Sequence, residues 1–384
     1  MWPRFFRRRT HCLIGPCVVT GALLVGYWIW YSHPQQRFFR ALAAIEKRDF
    51  RAAEAELSRF KAEEGSEKYI DFLTGALLLR SDRHEAAIRY FSRTQPEGKM
   101  REVVLLWTGE CLYRMGRLVE AQWALSQMTE EFPKNYSGHR WLGTVYYDLG
   151  MNDAAAAELS RALELNPADF RPHALLAVLY YDVGQYAVAV SHYRILLAQR
   201  PNPDASSNLA IALIHLHEYR QALDVLEAMP AGVDELILQA ECHLEMGAPD
   251  RASEMLERAR AISPKSRPVL IFTAQRLLDA NKPAEAAPLL KQAVDQDPHD
   301  FRSRYKLAMT YRDLGSIDDY SREMSRSEES RKLHDRYSEL TQKLRKEPND
   351  AKTRYELSLV AGELGFGEIA ALWRRGADAF RPVP

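Results

Sequence analysis

The apolar residues of this chain recur with a helical period, and the clearest example lies close to residue 150. Over residues 137–149, bulky apolar side chains return every three to four positions, which is the spacing of one helix face. Gly150 suits the left-handed position that ends a helix, and Asn152 or Asp153 is placed to cap a second one. The second helix is predicted over residues 154–165 and ends before an Asn-Pro pair. The pattern therefore predicts two helices joined by a tight turn.

Two small residues, Gly143 in the first helix and Ala155 in the second, stand 12 positions apart. A glycine inside a helix costs roughly 1 kcal/mol relative to alanine, so we expect the two helix backbones to approach closely there. The same spacing recurs along the chain, mostly at intervals of 34 residues, in the pairs Ala41 and Ala53, Gly75 and Ala87, Gly109 and Ala121, Ala177 and Ala189, Ala210 and Ala222, Ala240 and Ala252, Ala274 and Ala286, Ala308 and Tyr320, and Ser358 and Ala370. A proline closes many of the units, at Pro133, Pro167, Pro201, Pro264, Pro298 and Pro382.

A helix–turn–helix unit of 34 residues with small residues at these places resembles the tetratricopeptide repeat (TPR) family. The resemblance covers about ten units, over residues 34–384, and implies an all-α superhelical solenoid in which each unit packs only on its neighbours. The sixth unit loses residues near 229–232, which predicts a shortened second helix. The ninth is followed by 16 extra residues, and the scarcity of Gly and Pro there predicts one lengthened helix near 316–346. Arg374 and Arg375 indicate a solvent-facing cap on the last unit.

The residues before the repeats have the composition of a membrane anchor. Residues 1–11 form a basic arm, and residues 12–31 are uncharged, long enough to cross a bilayer as one transmembrane signal-anchor helix, and end in aromatic residues. A cleaved secretory signal is the competing interpretation. The uncharged run predicts a single-pass protein, and the basic arm predicts a cytoplasmic N-terminus with the repeats on the extracytoplasmic side. The resemblance of this architecture to bacterial envelope TPR proteins implies the bacterial inner membrane. The opposite orientation, with the repeats in the cytoplasm, is the alternative.

Composition and motifs give no indication of chemistry. The 52 Lys and Arg balance the 52 Asp and Glu, which argues against nucleic acid as a partner. The GxGxxA pattern at 365–370 falls in a turn between two helices, whereas dinucleotide sites place it between a strand and a helix. His215 and His217, two positions apart on one predicted helix, point to different faces. Cys111 and Cys242 are expected to be buried, reduced thiols. We therefore expect no catalytic residues, cofactor, metal or small-molecule substrate.

The resemblance also indicates where a partner would bind. In TPR proteins the first helix of each unit lines a concave groove, which commonly takes an extended peptide or a helix of another protein. Counting from the small residue, the groove positions are Arg80, Tyr113, Arg114, Arg140, Tyr147, Asp148, Tyr181, Asp182, His215, Glu241, Glu245, Gln275, Asp279, Tyr305, Arg312 and Asp313. They run from basic at the N-terminal end to mainly acidic beyond it, which favours a peptide with basic and apolar side chains.

The sequence thus predicts a non-enzymatic, membrane-anchored scaffold, similar to bacterial envelope TPR proteins that assist assembly or maturation of envelope complexes. The alternative is a regulatory or accessory subunit of a membrane-associated enzyme complex, such as one for cytochrome maturation or surface polysaccharide. An enzyme in its own right would need a domain outside the repeats, and the repeats occupy most of the chain. The partner, the pathway and the oligomeric state do not follow from the sequence.

Overall fold

A computed structural model describes residues 33–63 and 65–380, and the described chain forms two compact units divided after Gly116. Twenty α-helices and no β-strands are present in these residues. None of the helices is both long and apolar enough to cross a membrane. The predicted anchor, residues 12–31, and the last predicted closing proline, Pro382, lie outside the described residues.

The helices occur in pairs, and each pair is one repeat. In the first unit the helices are α1 (Pro34–Glu46), α2 (Phe50–Lys61), α3 (Glu67–Arg80), α4 (His84–Phe91) and α5 (Gly98–Arg114). In the second unit they are α6 (Leu118–Glu131), α7 (Tyr136–Asp148), α8 (Asn152–Leu165), α9 (Arg171–Asp182), α10 (Tyr186–Gln199), α11 (Pro203–His215), α12 (Tyr219–Glu227), α13 (Val233–Glu245), α14 (Pro249–Ile262), α15 (Arg267–Asp279), α16 (Pro283–Gln296), α17 (Phe301–Asp313), α18 (Ile317–Lys346), α19 (Ala351–Glu363) and α20 (Gly367–Ala379).

The register of small residues marks the closest contact inside each pair. Every alanine of that register except Ala370 is at most 1% exposed. A Cβ built on Gly143 would lie 2.7 Å from Leu159 Cγ and 3.1 Å from the Leu159 backbone nitrogen. The predicted close approach at Gly143 is therefore present, and the residue that meets it is Leu159, one turn after Ala155.

The turn after α7 differs from the prediction in its cap. Gly150 has φ +70°, the left-handed conformation that glycine adopts without a steric penalty. Helix α8 begins at Asn152 itself, its N-cap residue is Met151, and no side chain caps it. The prediction that Asn152 or Asp153 caps α8 is thus wrong, because the tight turn makes both residues part of the first turn of the helix.

Two irregular helices alter the regular array. Helix α12, over Tyr219–Glu227, has 9 residues, which agrees with the shortened second helix expected in the sixth repeat. Helix α18, over Ile317–Lys346, has 30 residues and supplies the second helix of the ninth repeat and the approach to the tenth.

A buried polar pair recurs inside several repeats, between residues 19 positions apart. A basic side chain four residues before the first small position meets an acidic side chain three residues after the second small position. The pairs are Arg37 with Glu56 at 3.2 Å, His139 with Glu158 at 2.6 Å, and Arg304 with Glu323 at 2.5 Å. We call these contacts the ladder pairs. They fix each first helix to its second helix, and in the two arginine pairs the opposite charges compensate each other where both side chains are buried.

The second unit also contains a contact that the repeat pattern does not predict. The tenth repeat, α19 and α20, packs against the fourth: Arg354 donates a hydrogen bond to the Leu149 carbonyl oxygen, and Trp373 covers Gly150. Helix α20 also approaches α6. The expectation that each repeat packs only on its neighbours is therefore wrong for this unit. Arg374 and Arg375 are nevertheless exposed, as expected of the outer face of a terminal repeat.

Candidate functional site

A cavity of about 790 Å³ lies along the first helices of the sixth to eighth repeats. Helices α11, α13 and α15 form its wall, and Lys306 of α17 reaches it from the ninth repeat. We call this cavity the groove; it is lined by Ile214, His215, His217, Tyr219, Ile237, Glu241, Leu244, Glu245, Arg267, Pro268, Ile271, Phe272, Gln275 and Lys306. Apolar atoms supply most of the lining surface, although about half of the lining residues are polar or charged, and such a mixture suits a binding site.

Two exposed carboxylates stand on the same face of α13. Glu241 and Glu245 are four residues apart, so their side chains are neighbours on the helix surface. The groove walls partly bury Glu241 and so raise the pKa of its carboxyl; Lys306 opposes this rise, and the negative charge of Glu245 adds to it. The pair is therefore a concentration of negative charge that a cation from outside would relieve.

Across the groove, three polar side chains form a connected row. Lys306 Nζ donates to Gln275 Oε1 at 2.9 Å, and Gln275 Nε2 donates to Asp279 Oδ1 at 2.9 Å. Arg267, by contrast, reaches out of the groove to Asp297 at 3.1 Å and to Asp300 at 2.6 Å, so it links the eighth repeat to the ninth. The carboxylate of Asp279 is thus partly satisfied within the protein.

An aromatic row of Tyr181, Tyr186 and His215 adjoins the groove. The rings of Tyr186 and His215 are stacked, with centroids 4.3 Å apart and an angle of 8°, and Tyr181 meets Tyr186 edge-on at 5.4 Å. Asp182 follows Tyr181 and is exposed, and its pKa is raised by partial burial. The same surface continues to Tyr147, whose pKa is raised by burial and by the nearby carboxylates of Asp182 and Asp148. The row presents flat apolar faces beside negative charge.

The two histidines do not share a helix. Helix α11 ends at His215, and His217 adopts φ 60°, in the turn position that glycine fills in several other repeats. The prediction that they point to different faces of one helix is corrected accordingly, since both side chains line the groove. His217 Nδ1 lies 2.7 Å from the Tyr219 hydroxyl, which is 3.5 Å from Glu245 Oε2.

Only some of the predicted groove positions come together in the groove. The cavity contains His215, Glu241, Glu245 and Gln275, and Asp279 is joined to it through Gln275. The remaining predicted positions of the second unit lie outside this cavity.

Three of these lie on α17, the first helix of the ninth repeat. Tyr305 borders a separate cavity of about 460 Å³ that also includes Phe301 and Met324. Arg312 and Asp313 are exposed and pair with each other at 3.2 Å.

The predicted basic end of the groove is largely neutralised inside the first unit. Arg80 lies 3.4 Å and Arg114 lies 3.0 Å from the same carboxylate oxygen of Glu110, which is buried. Tyr113 sits beside Arg114 at the end of α5 and is half-buried. In the second unit, Arg140 lies 3.6 Å from the buried carboxylate of Asp169 and stacks over Trp141. These arginines therefore present less positive charge than the sequence suggests.

Sequence reasoning missed Lys306, Tyr186 and Tyr219. Lys306 occupies a helix position outside the expected groove columns, and the two tyrosines belong to second helices, α10 and α12. Tyr186 and Tyr219 are the first residues of these helices, directly after the turn from the first helix. That position could have indicated that both tyrosines lie at the edge of the groove.

The remaining candidate chemistry is structural. The GxGxxA segment forms the turn between α19 and α20, where Gly365 has φ +81°. Cys111 and Cys242 are buried free thiols, and burial raises the pKa of each to about 12. No group of three or more His, Cys, Asp or Glu within 33–63 and 65–380 is arranged to hold a metal ion.

Paired helices with a common register of small residues, whose first helices line one partly apolar and partly acidic groove, define a helical-repeat scaffold of the type that binds other proteins. Family models described as TPR repeat and tetratricopeptide repeat match residues 40–99, 143–184, 175–235 and 277–344. The chain belongs to the tetratricopeptide repeat family.

Several solved structures resemble this chain at low sequence identity. A tetratricopeptide repeat protein from Parabacteroides merdae is 18% identical, with 64% of this chain and 99% of that protein covered at a TM-score of 0.41. The C-terminal part of a TPR repeat-containing protein from Cytophaga hutchinsonii is 16% identical, with 60% and 97% covered at a TM-score of 0.46. The MamA AMB-1 structure is 22% identical, with 42% and 99% covered at a TM-score of 0.39. No curated protein matches the chain.

Proposed function

We propose that this chain is a non-enzymatic, membrane-anchored TPR scaffold that binds a partner protein or peptide in the groove during assembly or maturation of an envelope complex. One observation carries the proposal: Glu241 and Glu245 stand together in a cavity whose other walls are mostly apolar. Carboxylates in such a cavity attract a cation more strongly than carboxylates in bulk water do. A partner segment with a Lys or Arg between apolar side chains fits both features.

The polar row on the opposite wall gives the groove a second recognition element. Lys306 and Gln275 present N–H donors that suit the carbonyl oxygens of an extended peptide. The aromatic row beside them supplies flat surface for an apolar or basic side chain of the same segment.

Neutralising the two glutamates tests the groove as the binding site. Cross-linking in cells followed by mass spectrometry compares the wild-type chain with Glu241→Gln/Glu245→Gln. Loss of a cross-linked partner from that variant supports the proposal. The matched control is Glu254→Gln/Glu257→Gln on α14, where both glutamates are exposed and lie outside the groove.

Retention of every partner by the groove variant, or equal loss in both variants, would contradict groove binding. Recovery of one enzyme in stoichiometric amount would favour the alternative function, an accessory subunit of a membrane-associated enzyme complex.

For localisation we propose that residues 12–31 anchor the chain in the bacterial inner membrane, with the N-terminus in the cytoplasm and the repeats outside it. The proposal rests on the uncharged run and its basic N-terminal flank. Reporter fusions after Pro384 test it. Activity of a reporter that works only outside the cytoplasm is the expected result, and activity of a cytoplasm-only reporter would reverse the orientation.

A further inference from the structure

The tenth repeat has the first residue of a ladder pair but not the second. Arg354 stands four residues before Ser358, the position held by Arg37, His139 and Arg304 in their repeats. The residue 19 positions later is Trp373, where the ladder pairs have Glu. Arg354 is nevertheless only 1% exposed, so the fold buries this guanidinium without the carboxylate that its counterparts have.

The guanidinium of Arg354 keeps the carbonyl contact that Arg304 makes in the ninth repeat, and its other donor bonds to the fourth repeat instead of a carboxylate. Its Nη2 donates to the Pro348 carbonyl oxygen at 2.6 Å, as Arg304 Nη2 does to Pro298 at 2.9 Å. Its Nη1, which would otherwise face the carboxylate, donates instead to the Leu149 carbonyl oxygen at the end of α7, 205 residues earlier in the chain.

Trp373 completes this contact at the next residue. A Cβ built on Gly150 would lie 2.5 Å from Trp373 Cη2, so the indole ring occupies space that only glycine leaves open. A hydrogen bond also fixes the position of the ring, because its Nε1 donates to the Tyr337 hydroxyl at 3.0 Å. Thus Trp373, which stands where the ladder pairs have Glu, also supplies the ring that covers the turn.

The contact lies next to the surface that continues from the aromatic row to Asp182 and Tyr147. Leu149 and Gly150 directly follow Tyr147 and Asp148. Burial raises the pKa of Tyr337, the hydrogen bond from Trp373 lowers it, and the charge of Asp182 adds to the rise. We propose that the tenth repeat is a latch: Arg354 and Trp373 form a docking surface whose occupant is the Leu149–Gly150 turn of the same chain, and docking closes the second unit beside Asp182.

The composition of the contact suits reversible closure. The direct contacts of the cation are neutral carbonyl oxygens and aromatic rings, with its centre 4.7 Å above the Phe380 ring, and the charge of Asp350 acts on it without a hydrogen bond. Such contacts offset its desolvation less than a bonded carboxylate does. One arginine and one indole ring on a turn make a small contact. We infer that closure competes with occupation of the surface around Asp182 and the aromatic row, which adjoins the groove, and this coupling rests on the proposed function, whereas closure itself does not.

A glycine substitution far from the tenth repeat tests the latch without disturbing the repeat itself. Gly150→Ala in the full chain places a methyl group against Trp373, and Gly247→Ala is the matched control. Gly247 holds the same turn position with φ +74°, and nothing lies within 4 Å of a Cβ built there. Both variants carry the same backbone strain, so their difference reports the latch.

Hydrogen exchange measured by mass spectrometry gives the readout. Over residues 351–380 we expect exchange roughly tenfold faster in Gly150→Ala than in Gly247→Ala, because α19 and α20 lose a neighbour. Small-angle X-ray scattering should show a larger radius of gyration for Gly150→Ala. Equal exchange and equal radii in the two variants would overturn the proposal.

The oligomeric state and partner capture give two more tests of the latch. A latch contact that weakens on dilution, with dimers in wild type and monomers in Gly150→Ala, would show that the turn belongs to a second copy and would also overturn the proposal. A difference between the glycine variants with no partner captured by the groove would leave the latch standing and reject only its coupling to partner binding.

Discussion

Arg304 Nη1 lies 2.5 Å from Glu323 Oε2, and both residues are buried between the two helices of the ninth repeat. The guanidinium also donates from Nη2 to the Pro298 carbonyl oxygen at 2.9 Å, so the cation is held from two sides. Loss of Glu323 would therefore leave the buried charge of Arg304 without its carboxylate partner.

We expect Glu323→Ala to destabilise the protein by about 3–5 kcal/mol, because it leaves the Arg304 charge buried without its carboxylate. Urea unfolding followed by circular dichroism measures the change. Glu328→Ala, at an exposed position on the same helix, is the control and should stay within about 0.5 kcal/mol of wild type. Equal effects of the two substitutions would contradict a structural role for the pair.

The register of small residues predicts opposite effects for two glycine-to-alanine substitutions. At Gly143 the new methyl group would meet Leu159, so we expect a net destabilisation of about 1–2 kcal/mol. At Gly362 the nearest atom, Ala370 Cβ, is 4.0 Å away, and the gain in helix propensity should stabilise by about 0.5–1 kcal/mol. Thermal unfolding of both variants checks the signs, and a stabilised Gly143→Ala would refute the close approach.

The fifth repeat should lose stability in mild acid. His173 Nδ1 lies 2.6 Å from His192 Nδ1, and burial together with His173 lowers the pKa of His192 to about 4. Between pH 4 and the unfolded value near 6.5, the unfolded chain binds a proton that the folded chain does not, so stability falls as the pH drops through this window.

Replacing His192 tests this pH dependence. In His192→Gln the slope of stability against pH between 6.5 and 4 should decrease by up to about one proton. His243→Gln removes a histidine from another repeat and serves as the control. An unchanged slope in His192→Gln would assign the acid sensitivity to other groups.

The two described cysteines should react only after unfolding. Burial raises the pKa of Cys111 and of Cys242 to about 12, so the reactive thiolate is scarce and shielded at neutral pH. Iodoacetamide labelling with peptide mapping should leave both residues unmodified in the native protein and modify both in urea. Rapid native labelling of either thiol would show that its repeat opens.

Much of the fold follows from the sequence because a repeat is a local structure. The 12-residue spacing located both helices of each repeat, since residues without bulk fit best where two helix backbones meet, and only Tyr320 in the ninth repeat departs from this among the pairs. The absence of helix breakers in the stretch after the ninth repeat likewise predicted a long helix where α18 lies. Local sequence signals failed at the start of α8. Asn152 and Asp153 are typical capping residues, but the helix already begins at Asn152 and no side chain caps it.

The candidate site followed from the sequence only in part. His215, Glu241, Glu245 and Gln275 came together because equal positions in successive repeats stack in columns. The arginines at the predicted basic end did not stay available, since Glu110, which follows Gly109 as Glu241 follows Ala240, is buried and neutralises Arg80 and Arg114.

The sequence by itself determined the helices, their pairing, the register of the core and the columns from which the groove is built, because all of these depend on residues close together in the chain. Only the tertiary structure decided that Arg354 meets Leu149, 205 residues away, and that Trp373 covers Gly150. That contact depends on the rotation accumulated over successive repeats, including the short α12 and the long α18. No local sequence pattern encodes this accumulated rotation. Trp373 stands where the ladder pairs have Glu, and its role is evident only when the turn that it covers is seen beside it.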